Sequence, residues 1–189
     1  MANTTAPRGL VPVRHPSGCI RVGEYSVDGT TPYAYNIFKG DPVQMTGAGR
    51  NVALAEAGNV DNIGVFGGCK YVDANGSQQF SNYWPASTTA TDVVAYVYDD
   101  PNIVFEIQCD TIAVGDVGNL IDWNAGTGST VTGNSGAYAQ ESTKATTGEP
   151  LRIERLVNRV DNAYGAYAKV EVTFATHARK GVVSGGGGI

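Results

Sequence analysis

The sequence predicts a mostly β protein, built as two small β-barrel or β-sandwich modules behind an extended N-terminal arm. Composition is the first sign: charged residues are 16% of the 189-residue chain and glycine occurs 25 times. Ordinary globular domains carry about 25% charge and about 7% glycine, so many turns must separate short, weakly charged segments. Periodicity is the second. Ile103, Phe105, Ile107 and Cys109 share one phase with Glu106 and Gln108 on the other, and Val170, Val172 and Phe174 alternate with Glu171 and Thr173. A period of two is that of a half-buried strand. Third, no window sustains the i, i+3, i+4, i+7 spacing of a helix over three turns.

The elements follow in chain order. Residues 1–18 contain Pro7, Pro12 and Pro16. Proline removes amide donors and holds its predecessor extended, so an arm is expected there rather than a helix. Short strands are expected in "AYNIF", "DPVQM", "NVALAEA", "NIGVFGGCKYV" and "QQFSNYW". The last two are joined by a hairpin at Asn75-Gly76, where both residues tolerate positive φ. The polar stretch "ASTTATD", 86–92, is the expected boundary between a first module, 19–90, and a second, 91–180. The second module reads as "DVVAYVYDD", an Asp100-Pro101-Asn102 turn, "IVFEIQCD", "TIAVGDVGNLID", a short strand around Tyr138, "LRIERLV" and "AKVEVTF". Residues 181–189, ending in "SGGGGI", read as a flexible tail with nothing to pack.

A net charge of −5 disfavours a direct nucleic-acid partner, which calls for a basic face. Yet no acid precedes Glu24, whereas Arg8, Arg14 and Arg21 do, so the arm can meet an acidic surface by complementary charge. Cys19, Cys69 and Cys109 are odd in number and form no CxxC pair, which suggests neither a disulfide framework nor a zinc cluster. Leu10, Val11 and Val13 are broken by Pro12 and followed by Arg14, so no signal-peptide core forms, and no apolar run approaches a membrane span. The expectation is a soluble protein made in the cytoplasm, without a membrane partner.

Candidate chemistry is thin. "GNSGA", 133–137, resembles the nucleophile turn of trypsin-like serine proteases, which implies a His to take the Ser135 proton and an Asp to orient it. Of the two histidines, His15 has no flanking strand to fix it and His177 follows Ser135, the reverse of that family's order. "TGAGRN" has Val52 where a dinucleotide fingerprint needs glycine, and "DANGS" lacks the rest of a calcium loop. Asp99-Asp100 precedes a Pro-Asn turn, where Asp satisfies backbone amides. Trp84, Trp123 and the tyrosines are scattered, which favours core or interface anchors over a sugar platform. No catalytic, cofactor-binding or metal site is expected.

Three segments change the picture. "DDPNIVFEIQCD", "VGDVGNLIDWNAGTGSTVTGNSGAYAQES" and "LRIERLVNRVDNAYGAYAKVEVTFATH" together resemble the capsid decoration, or cement, proteins of tailed bacteriophages. The shared elements are Asp100-Pro101-Asn102 before Phe105-Glu106, the "TGNSG" connection, and Leu151-Arg152-Ile153 followed by Asp161-Asn162 and a closing strand ending near His177. The likeness covers about half the chain well. The first half follows more loosely through "IFKGDPVQM" and "IGVFGGCKYVDANG", and "ARKGVVSGGGGI" departs from it.

The resemblance implies a virion structural protein with no active site. It would sit on the capsid exterior, bridge subunits of the major capsid protein, and associate with itself, as a trimer rather than a dimer. A tail- or fibre-associated adaptor is one alternative and a carbohydrate-binding β module another. On the cement reading, Leu10, Val11 and Val13 lie along a sheet edge of the shell while Arg8 and Arg14 face acidic groups on it. Tyr164 and Tyr167 supply rigid contact area in "DNAYGAY", with Asn162 and Gly165 shaping the turn. Removing residues 1–15 is then expected to leave a folded protein that no longer retains shells.

Overall fold

The alternating segments form the strands that their period predicts, and the named strands pair antiparallel throughout. The computed structural model describes residues 3–27, 33–46 and 50–180. Its strands are β1 (Val11–Arg14), β2 (Gly23–Tyr25), β3 (Ile37–Phe38), β4 (Pro42–Met45), β5 (Val52–Leu54), β6 (Asn62–Val72), β7 (Gln78–Ser81), β8 (Tyr83–Trp84), β9 (Thr91–Tyr98), β10 (Val104–Gln108), β11 (Leu120–Asn124), β12 (Tyr138–Ala145), β13 (Leu151–Leu156) and β14 (Lys169–Phe174). A single 3-10 turn, Val114–Asp116, is the one helical element among the described residues.

Two sheets carry the architecture. The first runs β2-β9-β6-β4-β5, with β7 beside the later half of β6 and β3 pairing β8 as a separate ribbon. The second runs β1-β10-β14-β13-β11-β12. Neither closes into a barrel. The long strand β6 explains how they share an interior. Successive side chains point to opposite faces, so Phe66 enters the cluster of Ile37, Ile63, Trp84 and Val97 while Val65 enters that of Phe105, Ile107, Trp123 and Val172. A strand buried on both sides needs a nearly continuous apolar sequence, which "NIGVFGGCKYV" supplies.

Three features depart from the sequence reading. Strand β9 lies between β2 and β6, so sheet membership changes at residues 99–103 and not at 86–92. The polar "ASTTATD" loop returns the chain to the first sheet, with Ser87 and Asp92 at positive φ, instead of leading out of it. The N-terminal segment is extended as expected, but it ends as the edge strand of the second sheet. In the β6–β7 hairpin Gly76 takes positive φ whereas Asn75 does not. Asp73 shapes the rest of that turn, its Oδ1 accepting the N–H groups of Asn75 and Ser77 at 2.9 and 3.0 Å. The glycine-rich tail, 181–189, lies outside the described residues.

The two sheets are stitched at a backbone seam. The Lys39 N–H donates to Gly133 O and the Ser135 N–H to Lys39 O, both at 2.9 Å, while the Leu10 N–H donates to Gly40 O at 2.9 Å. The approach is close enough to require glycine: a Cβ on Gly9, at φ +69°, would lie 2.4 Å from the Gly40 oxygen. The "TGNSG" connection therefore lies where the two sheets meet.

Both tryptophans are core residues. Cys69 and Cys109 are buried, their thiols pushed up to about 12 by burial, and Cys19 is exposed. Among the described residues no helix is long and apolar enough to cross a membrane, and no three metal-ligating side chains are grouped.

Candidate functional site

The outward phase of β10 and β14 places Glu106 directly opposite Glu171. Like charges at that spacing destabilise a sheet unless they are matched. Here they are. Arg159 grips Glu106 through two bonds of 3.1 and 2.7 Å. Arg155 donates to one Glu171 oxygen at 2.7 Å and the Arg14 Nε to the other at 3.0 Å. An irregularity in β13 between Ile153 and Arg155 sets Arg155 opposite Glu171. Burial alone would raise the Glu171 carboxyl, but the bonds from Arg155 and Arg14 bring it below its ordinary value.

Next along β10, Gln108 knots the arm to the loop between β13 and β14. Its Oε1 accepts the Ala6 N–H at 2.8 Å, and its Nε2 donates to Thr4 O and Tyr167 O at 2.9 Å each. The loop is closed from inside by Asn162, which donates to Val157 O and Lys169 O at 2.8 Å and accepts the Lys169 N–H at 2.9 Å. From outside, Asn3 donates to both Ala163 O and Ala166 O at 2.8 Å. Gly165, at φ 129°, and Tyr167, at φ 58°, make the bend. For tyrosine that backbone region is strained, and it persists only where neighbours over-determine it. The bonds from Gln108 and from the Tyr167 N–H to Asp110 O do so.

Tyr164 and Tyr167 stand 42% and 44% exposed, with Tyr167 lining the same clefts as arm residues Thr4, Thr5 and Pro7. Arg8 is exposed, Val13 is 40% exposed and Val11 is half-buried opposite Glu106. Two residues differ from expectation. Leu10 is 1% exposed and belongs to the second core cluster, so it holds the arm down and offers nothing outward. Arg14 is engaged by Glu171. The sheet edge along which the arm lies is thus the chain's own. The far side of β1 is blunted by Pro12, which has no N–H, and by an irregularity between Pro12 and Arg14.

The polar residues considered for catalysis occupy structural positions. The Ser135 hydroxyl is buried at the seam, accepting the Ala137 N–H at 2.9 Å and bonding the Asp41 carboxylate, which burial pushes up to about 6. Asp99 and Asp100 diverge: Asp99 accepts from Tyr25 and Arg179, Asp100 from the Asn102 N–H. Burial also raises the Tyr25 hydroxyl to about 12, with Asp99 adding to it. His15 reaches Asp100 at 3.3 Å, pinning the arm's end to the Asp100-Pro101-Asn102 turn. His177 is buried, and burial pulls it down to about 4.

At the arm's end of this face, Arg14, Asn102, Arg152, Glu154, Thr173 and Lys180 line a cleft of about 420 Å³. Sequence reasoning missed Arg152 and Lys180 as site residues, along with the Glu106, Gln108 and Glu171 row. The signal available for the row was its outward phase, where charged and amide side chains recur at every second position. Lys180 joins the cleft only through tertiary folding. Compared with known proteins, the chain matches no family model, no curated sequence and no solved structure.

Proposed function

We propose that the chain is a virion structural protein that binds the outer surface of a tailed-phage capsid and stabilises the shell by bridging capsid subunits. The observation that carries this reading is the outer face of the second sheet. On it Glu106 and Glu171 hold Arg159, Arg155 and Arg14 in place, and Arg152 stands exposed without an ion-pair partner among the described residues. Exposed Val13, Tyr164 and Tyr167 border the same face. A rigid, cross-bonded surface loses little side-chain freedom on docking, so more of its contact energy appears as affinity. Segments that build the face, "LRIERLV" and "DNAYGAYAKVEVTF", also carry the sequence resemblance.

The partner in this reading is the major capsid protein, with self-association as a trimer multiplying weak contacts by avidity. Purified chain mixed with undecorated expanded heads should co-sediment with them and raise the temperature at which they rupture. Cryo-electron microscopy should then place its density at symmetric positions on the capsid exterior. Density confined to the tail would transfer the protein to a tail-adaptor role, and no retention on either would end the virion reading.

A further inference from the structure

We propose that the cleft at the arm's end of the second sheet seats a side-chain carboxylate from an acidic segment of the partner protein, held by Arg152 and Lys180. The partner's identity rests on the capsid-binding reading; the chemistry of the cleft does not.

The cleft brings together parts of the chain that are remote in sequence: the end of β1, the Asp100-Pro101-Asn102 turn, the start of β13, the end of β14 and Lys180. Its charges are unequally committed. Arg14 is spent on Glu171, and Glu154 accepts the Thr173 hydroxyl at 2.8 Å. Arg152 is exposed and has no ion-pair partner among the described residues. The Lys180 Nζ donates to the neutral Phe174 carbonyl at 2.8 Å. Burial lowers the Lys180 pKa and the charge on Arg152 lowers it further, with Glu154 opposing them. Two cations repelling each other across a cleft is the arrangement that an anion between them relieves.

The lining also selects the kind of anion. A planar guanidinium matches a carboxylate in two parallel bonds, and the ammonium adds a point charge. Pro16 and Pro101 offer apolar wall for the methylene stem of the incoming side chain. A nucleic-acid backbone would bring a row of phosphates past Glu154 and into the field of a chain with net charge −5. A single carboxylate on a protein segment meets less of that repulsion, so the acidic protein segment is the occupant.

The test uses the full chain, 15N-labelled, titrated with a blocked Gly-Glu-Ser-Glu-Gly peptide, its Gln counterpart and a short oligothymidylate. Saturable shifts at Asn102, Arg152, Thr173 and Lys180 with the Glu peptide alone are expected. R152E and, separately, K180A should each weaken them about tenfold, the scale of one charge-assisted contact, with backbone spectra that remain folded. K70E, a charge reversal on β6 in the first sheet, should leave them within about twofold. Equal shifts with the Gln peptide, shifts spread over all cations, or tighter binding of the oligonucleotide would each overturn the proposal. On expanded heads, wild-type retention that R152E preserves would sink the cleft and spare the capsid reading. Failure of wild type to be retained would sink the capsid reading, while the peptide titration still judges the cleft.

Discussion

Asn3 and Ala163 exchange two hydrogen bonds across 160 residues of chain. The Asn3 Nδ2 donates to Ala163 O at 2.8 Å, and its Oδ1 accepts the Ala163 N–H at 3.1 Å. The pair is exposed, so water competes for it and it fixes position more than it adds stability. Asn3→Ala should therefore cost less than about 1 kcal/mol, yet speed amide exchange at residues 163–166. Unchanged exchange would mean that Gln108 and Asn162 hold the loop unaided.

Arm truncation should split into two outcomes. Removing residues 1–8 spares β1 and Leu10 but takes Thr4 and Ala6 from Gln108, and should cost about 1–2 kcal/mol. Removing residues 1–15, which the sequence reading expected to leave the fold intact, also takes Leu10 from the core and Arg14 from Glu171. Burying a leucine contributes roughly 2–3 kcal/mol, and Glu171, left with Arg155 alone, adds a smaller loss. A loss of about 2–4 kcal/mol in unfolding free energy is expected from these terms together. Equal stability of both truncations would contradict the integral role of β1.

Arg159→Ala leaves Glu106 nearly buried and facing Glu171 without its bidentate partner. Breaking one side of such a pair typically costs about 2–4 kcal/mol once the partner's partial exposure is discounted. Adding Glu106→Gln should recover most of it. Equal stability of the single and double variants in urea would remove the charge argument.

Acidification should act on two buried groups with opposite sign. The folded value of His177, about 4, lies below its ordinary 6.5, so its contribution is complete above pH 6.5 and is lost as pH falls towards 4. The folded value of Asp41, about 6, lies above its ordinary 3.8, so its contribution is complete below pH 3.8 and is lost as pH rises through 6. Each is worth on the order of 2–3 kcal/mol at most. Between pH 6.5 and 5, His177→Asn should turn the stability slope towards gain on acidification, and Asp41→Asn should steepen the loss. Parallel slopes in both variants would exclude these groups as the source.

How much of this was legible in the sequence depends on whether the deciding contact is local. Strand β6 could be bounded at both ends because its apolar run is continuous and ends in a Gly turn. Strand β2 is three residues, Gly-Glu-Tyr, too short to show a period. Strand β12 was legible only around Tyr138, although it extends to Ala145. Beyond Ala139, which is buried and bridges Cys109, it pairs with β11 alone, and a rim stretch of "QESTKA" has no buried face to betray it.

The site divides in the same way. Tyr164, Tyr167, Asn162 and Gly165 could be read as a shaped, exposed turn because turn chemistry is local. The burial of Leu10 could not, since a leucine before Pro12 looks alike on a free arm and in a core. What settles it is the close approach of Gly9 to Gly40, 31 residues apart in sequence. The engagement of Arg14 by Glu171 spans 157 residues.

The accessibility of Cys19, set against the two shielded thiols, has a practical consequence. A maleimide dye applied to the native protein at neutral pH should attach once per polypeptide, at the bend that follows the arm. Fluorescence from a single purified particle, divided by that of one labelled molecule, then counts the copies it carries.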